Sequence, residues 1–139
     1  MTEQLAQLFR DLRNGALATL KRDGRPQLSN VTYLFDPAAD TFRVSTRDGL
    51  AKVANIRRDP RVSLYVTTAS GRAYAVAEGR AELSAVAADA HDAVVEELIE
   101  VYRAIAGEHP DWDEYRAAMV TDKRLVLRVR VERLYGLIL

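Results

Sequence analysis

The chain has 139 residues, with 20 lysines and arginines against 20 aspartates and glutamates, so its formal net charge is zero at neutral pH. It has no cysteine, which excludes disulfides, thiolate nucleophiles, iron–sulfur clusters and cysteine-held zinc. A chain of this length buries about two-thirds of its unfolded surface without covalent staples, and zero net charge removes any bulk attraction to nucleic acid or anionic lipid.

Leu5, Leu8, Phe9 and Leu12 recur at helical spacing and predict an opening amphipathic helix, with Thr2 as its cap. The first residues lack the basic-then-apolar pattern of a signal peptide, and no stretch approaches the roughly 18 apolar residues of a spanning helix, so the expected location is the cytoplasm. After Asn14-Gly15, a strand over residues 16–20 turns through Arg22-Asp23-Gly24-Arg25 into a long strand over 26–35, in which Val31, Tyr33 and Phe35 alternate. Asp36-Pro37-Ala38-Ala39-Asp40 turns the chain into a third strand, with Phe42 and Val44 on one face.

Leu50, Val53, Ala54 and Ile56 then predict a short helix, which Asp59-Pro60 stops. Val62, Leu64 and Val66 alternate in the next strand, and Ala69-Ser70-Gly71 turns into another over residues 73–83. That strand has Tyr74, Val76, Glu78, Arg80 and Glu82 on one face. Its other face is Ala73, Ala75, Ala77, Gly79 and Ala81, which suits close approach of another element, a second subunit or a ligand. A helix over residues 92–106 carries Val94, Val95, Leu98, Val101, Tyr102 and Ile105 and stops at Gly107. Asp111-Trp112-Asp113-Glu114 resembles a capping box for a second helix, and alternation from Leu125 to Leu137 gives the last strand. Six strands with short helices between them predict a mainly β fold with helices (α+β), a small antiparallel barrel forming a single domain over residues 1–139.

The most informative segment for chemistry is Val44-Ser45-Thr46-Arg47-Asp48-Gly49-Leu50-Ala51-Lys52, which passes from a strand end into a helix start. Helix N-termini attract anions, so a phosphate site with Lys52 is one reading; a helix capped by Thr46 or Asp48, with Lys52 in water, is the other. Arg57, Arg58 and Arg61 complement a helix C-terminus and need no ligand. Arg124, Arg128 and Arg130 read as a solvated or subunit-facing row on the last strand. His91 and His109 read as capping or surface residues, no carboxylate pair suggests acid–base work, and no metal-ligand spacing is present. If the protein is an enzyme, a bound cofactor carries the hard chemistry and no side chain is assigned as catalytic.

The succession Ala18-Thr19, Gly24-Arg25-Pro26-Gln27-Leu28-Ser29-Asn30, Val44-Ser45-Thr46, the run from Ala51 through Asn55-Ile56-Arg57-Arg58-Asp59-Pro60 to Leu64, and Ala75-Val76-Ala77-Glu78-Gly79 resembles the pyridoxamine 5′-phosphate oxidase-like split β-barrel family. Within it the chain is most similar to small actinobacterial proteins that use the deazaflavin coenzyme F420. The likeness continues through Tyr102-Arg103, Ala106-Gly107-Glu108-His109, Asp111-Trp112, Tyr115-Arg116 and Met119.

The resemblance implies a six-stranded antiparallel split barrel of the FMN-binding type, in a homodimer with cofactor in a groove at the subunit interface. It implies that Ser45, Thr46, Ala51 and Lys52 hold the cofactor phosphate. Pro26, Gln27, Leu28, Ser29 and Asn30 would lie along the ring, with Gln27 and Asn30 bonding its polar edge, and Tyr74 would flank the pocket. Where many relatives carry an arginine two positions before the lysine, this chain has Leu50, and Arg47 or Arg57 is the expected substitute. Arg57, Arg58 and Arg72 could meet the acidic tail of F420.

The implied function is hydride transfer from reduced F420 to a small or planar organic molecule, a tetrapyrrole such as biliverdin among them. An FMN-binding oxidase of pyridoxamine phosphate and a non-catalytic carrier of flavin or F420 are the alternatives. No nucleic acid or membrane partner is expected.

Overall fold

The computed structural model describes residues 2–139. α1 (Thr2–Asp11) buries Leu5, Leu8 and Phe9 as the spacing predicts. β1 (Asn14–Leu20) and β2 (Pro26–Thr32) form the expected hairpin, in which Gly24 takes a φ of 87° that glycine adopts without steric cost.

The predicted strand over residues 26–35 does not run through as one ladder. The backbone N–H of Tyr33 donates to the Arg13 carbonyl at 2.9 Å, and the chain resumes as β3 (Leu34–Asp36), which pairs with β4 (Thr41–Arg47) instead of β1. α2 (Ala51–Arg58), β5 (Arg61–Thr67), β6 (Tyr74–Leu83), α3 (Ala93–Ala106), α4 (Trp112–Thr121) and β7 (Arg124–Leu137) complete the order. All ladders are antiparallel, in the sequence β2-β1-β5-β6-β7-β4-β3. One continuous segment, residues 26–36, therefore supplies both ends of the sheet. The sheet curls until its edges meet, leaving a seam beside Tyr33 where β2 and β4 are not hydrogen-bonded. The seven strands are the expected six with one divided at barrel closure.

The barrel interior is aromatic. Phe9 and Phe42 approach at 4.9 Å between ring centroids and Tyr33 and Phe42 at 5.2 Å, while the Tyr33 hydroxyl donates to the Phe9 carbonyl at 2.9 Å. The small face of β6 turns into this interior: Ala73, Ala75, Ala77 and Ala81 share a buried cluster with Leu5, Leu8 and Phe9. Of the neighbours the sequence allowed, the small face thus meets other elements of its own chain, and it lends no support to a subunit interface. The approach is closest at β7, where a Cβ on Gly79 would lie 2.1 Å from the Arg130 carbonyl oxygen.

α3 and α4 form a second layer. Asp92 caps α3 by accepting from the Val95 N–H at 2.9 Å, and Asp111 caps α4 by accepting from the Glu114 N–H at 3.1 Å. Val95, Leu98, Ile99, Tyr115 and Met119 pack with Val126 of β7, whose neighbours Leu127 and Val129 face the barrel interior. The outer face of β4 and β7 is thereby covered by helices. Among the described residues no helix is long and apolar enough to cross a membrane.

Candidate functional site

The seam between β2 and β4 opens into a cleft of about 450 Å³, a size that suits a small-molecule ligand. Asn30, Val31 and Thr32 of β2 form one wall, Val44 and Ser45 of β4 another, and Lys52 of α2 closes one end. Val101, Tyr102, Ile105 and Ala106 of α3, with Tyr115 and Met119 of α4, supply an apolar and aromatic side, and Arg124 of β7 completes the lining. No carboxylate and no imidazole is among these residues.

The start of α2 departs from the capped reading of the strand-to-helix junction. Leu50 occupies the N-cap and no side chain caps the helix. Thr46 is buried, and Asp48 turns away to pair with Arg57 at 2.9 Å. The first-turn backbone N–H groups of α2 are thus free of a carboxylate cap, and their partial positive charge adds to that of Lys52. The Lys52 ammonium donates to the Ser29 hydroxyl at 3.2 Å and makes no ion pair among the described residues. Its burial pushes its pKa below the ordinary lysine value.

A buried amide holds α2 in place. The Asn55 side chain donates to Thr19 Oγ1 and to Gln27 Oε1, both at 3.0 Å, and accepts from Arg58 Nη2 at 3.0 Å. Because Gln27 spends its carbonyl on Asn55, its remaining side-chain groups are donors.

Of the residues singled out in the sequence, Asn30, Ser45 and Lys52 line the cleft, and Ser29 is bonded to Lys52. Gln27 belongs to the Asn55 network. Thr46 points into buried surroundings, Leu28 is largely exposed and Pro26 lines a separate depression with Arg61 and Glu78. Ala51 and Arg57 lie on an open basic groove with Lys21, Arg22 and Arg58 on the other side of the α2 start. Tyr74 packs against Tyr65 at 5.8 Å between ring centroids, outside the cleft lining.

Neither expected substitute for the missing arginine lines the cleft: Arg47 is exposed and Arg57 is held by Asp48. The cation that does so is Arg124, which the sequence placed in a solvated or subunit-facing row. That row is not uniform. Arg130 is exposed, Arg128 is bonded to Glu97 of α3, and Arg124 is half-buried against the cleft. Alternation along β7 put the three arginines on one outer face correctly, but nothing local shows that α3 and α4 cover part of it. The aromatic side of the cleft was visible in the sequence only as helix core. Tyr115, whose hydroxyl donates to the Leu98 carbonyl at 3.1 Å, has its pKa pushed up to about 12 by burial.

Comparison with known proteins places this arrangement. The family model described as pyridoxamine 5′-phosphate oxidase matches residues 1–137. Conserved hypothetical protein Rv2991 from Mycobacterium tuberculosis superposes with a TM-score of 0.74 at 24% identity, covering 98% of this chain and 83% of that one. A putative pyridoxamine 5′-phosphate oxidase from Listeria innocua gives 0.68 at 20% identity, covering 97% and 96%. A protein named F420 reductase gives 0.61 at 22% identity, covering 88% and 89%. These likenesses show a common fold, the split barrel.

Proposed function

The chain belongs to the pyridoxamine 5′-phosphate oxidase family, and from that premise we propose that it is an oxidoreductase that holds the deazaflavin coenzyme F420 in the seam cleft, as one half of a homodimer. The observation that carries the reading is an apolar and aromatic cleft that contains Lys52 and Arg124, neither paired with an acid among the described residues, beside an uncapped helix start. These residues fit a planar ring bearing a phosphate. Val101, Tyr102, Ile105 and Met119 offer surface to the ring, and Lys52, Ser45 and the first N–H groups of α2 offer charge and donors to the phosphate. Asn30 provides an amide for the ring's polar edge, while Gln27, on the opposite face of β2, serves through its bond to Asn55.

When bound in its reduced form, F420 supplies a hydride. The protein's part is to bind, orient and exclude water. No carboxylate or imidazole lines the cleft and Tyr115 is committed to Leu98 at a raised pKa. Lys52 and Tyr102 are the proton-bearing side chains of the lining, and no side-chain acid need be essential, since solvent can protonate the product. The groove lined by Lys21, Arg22, Arg57 and Arg58 together with the single carboxylate Asp23 lies at the first turn of α2, and its excess of cations, Arg57 being paired with Asp48, would receive an acidic tail, which F420 has and FMN lacks. Arg72 is not among the groove's lining residues.

A second copy of the chain fits the outer face of β5, β6 and β7. Tyr65, Val76 and Tyr135 lie side by side across the ladders, and Tyr65, Tyr135 and Leu137 are exposed at 42%, 40% and 44%. Asn30 stands in the same row through Ala16 and also lines the cleft, so a partner seated there would wall the site. Substrate-dependent oxidation of reduced F420 above the uncatalysed rate tests the enzyme reading; tight binding without turnover would instead make the protein a carrier. Sedimentation at the mass of one chain would remove the dimer.

A further inference from the structure

The outer face of β4 and β7 holds two pairs of arginines directly opposite one another, Arg43 with Arg128 and Arg47 with Arg124. Like charges in such positions repel. At the first pair the repulsion is answered within the chain. Glu97 of α3 accepts from Arg128 and lies 3.5 Å from Arg43, and Glu100 lies 3.3 Å from Arg43. At the second pair no carboxylate lies within ion-pair distance among the described residues. Arg124 Nε is moreover buried without any hydrogen-bond partner, the one such side-chain atom among the described residues. A buried donor left unmade is costly and calls for an explanation. Here the unsatisfied guanidinium lines the same cleft as Lys52.

We infer that Arg124, together with Lys52, forms an anion clamp that takes a phosphate group of the bound ligand. In this chain Arg124 supplies the second cation that Leu50, at the N-cap of α2, cannot. The inference rests on the cofactor reading for the identity of the ligand, while the clamp itself stands on the unanswered arginine pair, the orphaned Nε and the shared cleft. A guanidinium offers two parallel donors to phosphate oxygens, whereas Lys52 acts as a point charge. Arg47, exposed beside Arg124, adds to the local potential without lining the cleft.

The test compares FMN with its phosphate-free ring-and-ribityl fragment, which differ only in phosphate, and F420 with its own fragment, which lacks the acidic tail as well, in wild type, Arg124→Met and Arg124→Lys, with far-UV circular dichroism confirming the fold. Arg124→Met is expected to lower affinity for the phosphorylated member about ten- to hundredfold, the range of a lost charge-assisted hydrogen bond, and to leave the fragment's affinity unchanged. Arg124→Lys is expected to fall between. The ligand-free Arg124→Met protein should melt no lower than wild type, because the orphaned donor is gone. Equal loss for both members of a pair, or no loss, overturns the clamp.

Inorganic phosphate at matched ionic strength separates this from the cofactor reading. If neither cofactor binds wild type yet phosphate raises its melting temperature and not that of Arg124→Met, the clamp stands and the cofactor reading falls. If phosphate leaves both proteins alike and no phosphorylated ligand discriminates between them, the clamp is refuted.

Discussion

Substituting Asn55 by alanine should destabilise the protein and loosen the cleft together. The side chain is 7% exposed and joins three elements: it donates to Thr19 of β1 and Gln27 of β2 and accepts from Arg58 of α2. Alanine removes two neutral hydrogen bonds of about 0.5–1.5 kcal/mol each. The bond from the exposed Arg58 adds little, because water replaces it. Thr19 Oγ1, on a residue that is 1% exposed, is left without its donor inside the protein, which brings the expected loss to about 2–4 kcal/mol. With a urea m-value of about 2 kcal/mol/M, the middle of the usual range for small proteins, the unfolding midpoint falls by about 1–2 M. A Thr19→Val, Asn55→Leu double variant, which removes both sides of that bond and keeps volume, should recover much of this loss. Equilibrium urea unfolding measures it, and a loss below about 1 kcal/mol for Asn55→Ala would refute the role of this amide as the fastening of α2.

Other consequences are equally direct. Gly79→Ala would place a methyl 2.1 Å from a backbone oxygen of β7 that has no flexible side chain to move aside, so the β6–β7 ladder must part, at a cost of about 3 kcal/mol or more seen in thermal melts. Burial acts to raise the pKa of Glu97, but the guanidiniums of Arg128 and Arg43 outweigh it and hold the carboxyl below the ordinary glutamate value. Its contribution is therefore fully present above the unfolded value and is lost as pH falls through the folded one. Glu97→Gln should be less stable than wild type at neutral pH and should flatten the acid limb of the stability profile. Lys52→Ala should lower cofactor affinity by about tenfold or more while leaving the fold intact, since Lys52 has no partner beyond the Ser29 hydroxyl.

Much of this architecture is legible in local pattern because its causes are local. Asp92 and Gly107 bracket α3 through a cap and a stop that act within one turn, and Asp23-Gly24 sets the first hairpin. What the pattern misses is non-local. Alternation runs unbroken through Tyr33, yet the ladder breaks there because the two ends of one segment must pair with different strands when the barrel closes. The alanine face of β6 reads equally well as facing another element, a second subunit or a ligand until α1 and the edge-to-face Phe9–Phe42 pair are seen to fill the space it leaves. Arg124 reads as solvated or subunit-facing because period-two spacing gives a side chain's face and not what covers that face; only the docking of α3 and α4 on β7 turns it toward a cleft. The place of Lys52 after a strand leaves a phosphate ligand and a solvated residue both open and only the resemblance implies the first; the structure adds that Asp48 is engaged elsewhere and that Lys52 lines the cleft.

The central claim is tested most directly by titrating the cofactor-free protein in parallel with F420 and with FMN and following ligand fluorescence. The account predicts saturable binding with preference for F420, weakened when Lys52 is replaced by alanine. Preference for FMN, or binding of neither, would contradict it.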